Sequence, residues 1–177
     1  QRLPRTDLQA VNIFRQVAAG LAHMHGRGYV HADIKPSNIL VSDEDEVKII
    51  DLGQGCPIGT VKKRIQGTPG YMAPEQAHRQ TITEKTDIYN FGATMYRLVT
   101  FRLPPNPLTY DAKNSRMAEK LLRPVEELNP RAPKHLRDLI HHCLDFNPQK
   151  RPERISDVIP PLEELIAELV KGDEDRL

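Results

Sequence analysis

Apolar residues at Leu8, Val11, Phe14, Val17, Ala18 and Leu21 recur mostly three or four positions apart. That spacing lines one face of a helix, so a buried amphipathic helix is predicted over 7–25. Thr6 or Asp7 can cap its start, and Gly26 and Gly28 stop it. The pattern then shortens to two β-branched runs, Ile39-Leu40-Val41 and Val47-Lys48-Ile49-Ile50, either side of the polar stretch Ser42-Asp43-Glu44-Asp45. Two short apolar runs around a polar turn predict a β-hairpin, which would draw Asn38 and Asp51 toward each other.

Residues 54–82 hold no period and are punctuated by glycine and proline, which predicts a long surface loop of the kind that carries function. Helical patterning returns at 86–100, with Thr83 as a cap, and continues at 111–122, 133–145 and 155–170. The 15 prolines concentrate at 104–107, 124–133 and 148–161, where they separate helices. Pro104-Pro105-Asn106-Pro107 reads as a rigid connector. The expected architecture is mainly α with a small β-hairpin, one domain over 1–170 and a polar tail over 171–177.

Composition narrows the partners. The chain has 177 residues, 38% hydrophobic and 28% charged, which is ordinary for a globular domain. A formal net charge of +1 gives no field for nucleic acid or a membrane surface. Lys62-Lys63-Arg64 is the one dense basic run and is expected to be a solvated loop. No stretch reaches the roughly 18 apolar residues that span a bilayer, so no membrane contact is expected. Cys56 and Cys143 are the two cysteines and form no C-x-x-C motif, which suits a reducing compartment; a cytoplasmic location is expected. Neither His23-x-His25 nor His141-His142-Cys143 supplies a four-ligand zinc spacing, so these read as solvated or packed histidines.

The chemistry lies in His31-Ala32-Asp33-Ile34-Lys35-Pro36-Ser37-Asn38-Ile39-Leu40, followed by Asp51-Leu52-Gly53 eighteen positions after Asp33. Taken singly, Asp33 could cap a turn, Lys35 could be surface charge, and Asp51-Leu52-Gly53 could end a strand. Taken together, in this order and with a hairpin between them, they resemble the catalytic loop and metal-binding turn of a protein kinase. Gly67-Thr68-Pro69-Gly70-Tyr71-Met72-Ala73-Pro74-Glu75 resembles the end of a kinase activation segment, which would run over 51–75 from the catalytic loop at 31–38. Thr68, with Lys35 inside Asp-x-Lys-x-x-Asn, is similar to serine/threonine rather than tyrosine kinases. Gln76 and the run through Met72 are similar to bacterial Hanks-type enzymes.

The resemblance implies roles. Asp33 would accept the proton of a substrate hydroxyl, Lys35 would sit beside the transferring phosphate, and Thr68 would bond both. Asn38 and Asp51 would hold Mg²⁺, Leu40 would lie under the adenine of ATP, and protein Ser/Thr hydroxyls would be the acceptors. Asp87 would anchor the catalytic-loop backbone, Arg151 would pair with Glu75, and His31 and Leu52 would join the apolar column that links the two lobes. The elements of the family's small lobe are not in this sequence: no Gly-x-Gly-x-x-Gly, no Val-Ala-Ile-Lys strand and no partner helix occur. The expectation is therefore a large lobe with the N-terminal lobe absent, inactive alone and sticky at Leu40 and Leu52. The alternative is a non-catalytic binding module. Ala32 stands where regulated kinases carry Arg, so little dependence on phosphorylation at Thr60 is expected.

Overall fold

The computed structural model describes residues 7–110, 117 and 120–174. In chain order its first elements are α1 (Asp7–His25), β1 (Tyr29–Val30), β2 (Ile39–Val41), β3 (Val47–Ile49), β4 (Cys56–Pro57), β5 (Thr60–Val61) and α2 (Pro74–Ala77). They are followed by β6 (Thr81–Ile82), α3 (Glu84–Thr100), α4 (Val125–Leu128), α5 (Lys134–Cys143) and α6 (Ile159–Glu174). Helix α1 has its predicted bounds, and Val11, Ile13, Phe14, Val17, Ala18 and Leu21 form its buried face, with Leu8 only half-buried. Thr83 caps α3: its hydroxyl accepts from the Lys85 N–H at 3.3 Å, and its own N–H donates to the Thr86 hydroxyl at 3.3 Å.

Helix α3 is the axis of the molecule. Ile88, Phe91, Met95 and Tyr96 on it share one core with α1, with Leu136 and Ile140 of α5, and with Leu162 and Leu165 of α6. Phe14 and Phe91 meet edge to face with ring centroids 6.2 Å apart. Gly92 lets α5 approach closely, since a Cβ there would stand 2.7 Å from the Cβ of Cys143.

The hairpin is present: β2 and β3 pair antiparallel with Ile39 opposite Ile49 and Val41 opposite Val47. The Ser42 hydroxyl closes its turn by accepting from Glu44 and Glu46 N–H groups at 3.1 and 3.2 Å. Two further ladders correct the reading of 54–82 as unstructured. Strand β4 pairs with β1 and β5 pairs with β6, both antiparallel. Val30, Ala32, Cys56 and Ile82 form a second small core beneath them. Strands two residues long with remote partners leave no periodic trace in a sequence.

Two other boundaries differ from expectation. The helix predicted over 155–170 begins at Ile159, after a 3₁₀ turn at Ile155–Val158. Pro160 and Pro161 fall in its first turn, where backbone N–H groups have no helical partner to lose. The polar tail set at 171–177 starts inside α6, which runs to Glu174; residues 175–177 lie outside the described residues. The predicted helix over 111–122 also falls largely outside them.

Candidate active site

The loop over 31–38 is held from below. Asp87, near the start of α3 and fully buried, accepts from the backbone N–H of His31 at 2.8 Å and of Ala32 at 2.7 Å. His25, the last residue of α1, donates its Nε2–H to the same carboxylate at 2.8 Å. A buried carboxylate is tolerable when its lone pairs are satisfied in this way. Ala32 is left-handed at φ 61°, a conformation costly for a residue with a Cβ, and the Asp87 bonds hold it there. Ile34 is buried in the main core, which pins the centre of the loop.

Four of the predicted site residues come together above this anchor. Asp33 Oδ1 accepts from the Thr68 hydroxyl at 2.7 Å, and Asp33 Oδ2 faces Lys35 Nζ at 3.0 Å. Lys35 Nζ also donates to Thr68 Oγ1 at 2.6 Å, closing a ring of three side chains. Asn38 donates its Nδ2 to the Asp33 carbonyl at 2.8 Å, which leaves Oδ1 as the oxygen free to meet a cation. The Asp33 N–H donates to His31 Nδ1 at 3.2 Å, so the ring proton sits on Nε2, which donates to the Ile50 carbonyl at 2.9 Å.

Ile50 in turn donates its N–H to the Asn38 carbonyl at 2.9 Å, so the hairpin delivers Asp51 beside the loop. Asp51 is left-handed at φ 61° and accepts from the Gly53 N–H at 3.3 Å through one carboxylate oxygen. It is exposed, with its second oxygen available. Leu40 and Leu52 face solvent at 49% and 61% exposure, as expected for this edge. His31, the other column residue, is wholly buried.

At the far end of residues 51–75, Arg151 grips Glu75 with two nitrogens at 2.8 and 2.9 Å. The guanidinium also donates to the carbonyls of Lys85, Asp145 and Phe146, and lies 4.9 Å from the Tyr89 ring centre. The Thr60 hydroxyl is tied to the Pro57 carbonyl at 2.6 Å, and its backbone is laddered to Ile82. Lys62 is not free in solvent as its basic run implied, because its ammonium bonds the Gln54 carbonyl.

Sequence reading missed His25 as an anchor, missed Asn90 and Thr94, and assigned Gln76 no bonding role. Asn90 donates to the Tyr71 carbonyl at 2.7 Å and to Gln76 Oε1 at 2.9 Å. Thr94 donates to the Asn90 and Ile34 carbonyls at 2.9 and 3.3 Å. The signal was available: Asp87, Asn90 and Thr94 recur at helical spacing on an otherwise apolar buried helix, and a buried polar stripe needs partners.

The fold gathers Asp33, Lys35, Asn38 and Thr68 into one polar cluster, and comparison with known sequences shows the family to which it belongs. The family profile described as "Protein kinase domain" matches residues 2–160. The chain belongs to the protein kinase family. It is 38% identical over 153 residues to a mitogen-activated protein kinase kinase kinase 7-like protein of Drosophila melanogaster, covering 81% of this chain and 38% of that protein. It is 34% identical over 150 residues to the serine/threonine/tyrosine-protein kinase HT1 of Arabidopsis thaliana, covering 83% and 37%. It is 30% identical over 164 residues to the serine/threonine-protein kinase PrkC of Bacillus subtilis, covering 88% and 24%. The chain thus spans between about a quarter and two fifths of the length of these relatives. Among the described residues, no helix is long and apolar enough to cross a membrane.

Proposed function

We propose that these residues form the large lobe of a serine/threonine protein kinase that moves the γ-phosphate of ATP to protein Ser/Thr hydroxyls in the cytoplasm. The observation that carries this reading is the closed ring of Asp33, Lys35 and Thr68. A carboxylate so held keeps lone pairs free for an incoming hydroxyl and aims them in one direction. Asp33 accepts the hydroxyl proton as the oxygen attacks. Lys35 supplies a point charge next to the transferring phosphate, where charge accumulates. Thr68 couples the activation segment to both.

Asn38 Oδ1 and the second Asp51 oxygen are hard donors suited to Mg²⁺, and the exposed Leu40 would offer adenine an apolar floor. Mg²⁺ held by Asn38 and Asp51 would supply positive charge to offset that of the phosphates. The sequence contains no Gly-rich loop and no strand lysine, so the residues here make one wall of the nucleotide site, and the chain by itself is inactive. Two buried free thiols, Cys56 and Cys143, accord with a reducing compartment. The test is phosphate transfer from Mg²⁺–ATP to a Ser/Thr protein substrate by the full-length protein. Asp33→Asn should cut the rate by about 100- to 10,000-fold with folding intact. A wild-type protein that binds partners but transfers no phosphate would favour the binding-module reading instead.

A further inference from the structure

Gln76 follows the ion-paired Glu75 and is itself buried at 3% exposure. Its amide makes bonds in two opposite senses. Oε1 accepts from the Ala73 N–H at 2.9 Å and from Asn90 Nδ2 at 2.9 Å. Nε2 donates to the Ala32 carbonyl at 2.8 Å and to the Gln66 carbonyl at 3.4 Å. The orientation is fixed by chemistry, because turning the amide over would set oxygen against two carbonyls and nitrogen against an N–H. Asn90 is fixed in turn: both groups before its nitrogen are acceptors, and its Oδ1 is left buried without a partner. An orphaned acceptor is costly, so holding Gln76 must offset it.

Ala32 is the residue on which these bonds converge. Its N–H is taken by Asp87 and its carbonyl by Gln76, one clamp on each side of a left-handed φ of 61°. The next residue is Asp33, whose carboxylate direction follows from that backbone. Ala32 has no long side chain with which to reach the activation segment, and no charged group there to hold a phosphate. We propose that Gln76 is a positioning residue that locks the activation segment to the Ala32 carbonyl, so that Asp33 is aimed without a phosphate on the segment. This rests on the kinase reading of Asp33 for its kinetic consequence, but not for its structural one.

The experiment compares Gln76→Met and Gln76→Glu in the full-length protein. Methionine keeps the length and removes both polar atoms, whereas glutamate keeps the oxygen for Ala73 and Asn90 and loses the donor to Ala32. Amide hydrogen exchange is read at Ala32 and Asp33, with Phe91 and Met95 of α3 as the core reference. Both variants should speed exchange at Ala32 and Asp33 tenfold or more with the α3 amides within twofold. In phosphate transfer, kcat should fall at least tenfold with the KM for ATP within about threefold. Exchange within twofold of wild type at Ala32 and Asp33 in Gln76→Met, or wild-type behaviour of Gln76→Glu, would overturn the proposal. So would α3 exchange rising equally in both variants, which would make Gln76 a folding residue only. Exchange needs no nucleotide, so a wild-type protein that transfers no phosphate would sink the functional reading while this result stood.

Discussion

Below Asp33 the chain binds Asp87, Gln76 and Arg151 in multiple buried hydrogen bonds, whereas above it Asp51, Leu40 and Leu52 stand open to solvent. The lower half holds Asp87 with three donors, Gln76 with four partners and Arg151 with a bidentate carboxylate and three carbonyls. The upper half holds Asp51, whose side chain, among the described residues, accepts only from the Gly53 N–H two residues on, and two exposed leucines. On the proposed kinase reading, the contrast separates two tasks. Aiming a proton acceptor requires a rigid base, because misplacement of the reacting groups is costly in rate. Receiving a nucleotide and a metal requires free oxygens and an uncovered apolar floor.

That division can be broken most severely at Arg151. Arg151→Ala leaves the Glu75 carboxylate buried without its cation and should lower stability by about 3–5 kcal/mol in urea unfolding. A loss under about 1 kcal/mol would mean the pair is not buried as described. Gly92→Ala should cost about 1–3 kcal/mol by forcing α3 and α5 apart, with an unchanged denaturant slope. Alanine tolerated at no cost would contradict the close approach at Cys143.

Burial pushes the Cys143 thiol up to about 12 from its ordinary range. The unfolded chain therefore loses this proton first as pH rises. Stability from the neutral thiol is complete below about pH 8.5 and falls from there toward about pH 12, at about 1.4 kcal/mol per pH unit. Cys143→Ala should flatten that part of an alkaline melting series; an equally steep decline in both proteins would remove Cys143 as its cause. The smallest effect belongs to the open half. Leu52→Ser should change stability by less than about 0.5 kcal/mol and reduce binding of an apolar dye. A larger loss of stability would show that Leu52 is packed.

The same contrast explains what the sequence made legible. Helix α1 and the β2–β3 hairpin follow from local periodicity, whereas Asp33, Lys35, Asn38, Asp51 and Thr68 were singled out by their resemblance to kinase motifs. The β1–β4 and β5–β6 ladders did not, because two-residue strands pair across long separations. Gln76 was noticed only for its resemblance to bacterial Hanks-type enzymes; its partners at Ala32 and Asn90 are brought to it by tertiary folding. His25 passed as a packed histidine, and only the placement of α1 against α3 puts it on Asp87. Single motif residues state their chemistry, whereas a buried network states its purpose only once its members meet.

The measurement that tests the account most directly is amide hydrogen exchange across residues 31–55 of the full-length protein, with and without Mg²⁺ and a non-hydrolysable ATP analogue. The account predicts slow exchange at His31, Ala32 and Asp33 in both states, with new protection gained at Leu40 and Leu52–Gly55 only when nucleotide is present. Fast exchange at Ala32 and Asp33 without nucleotide, or no gain at Leu40 and Leu52–Gly55 with it, would contradict the division of the site into a rigid base and a receptive edge.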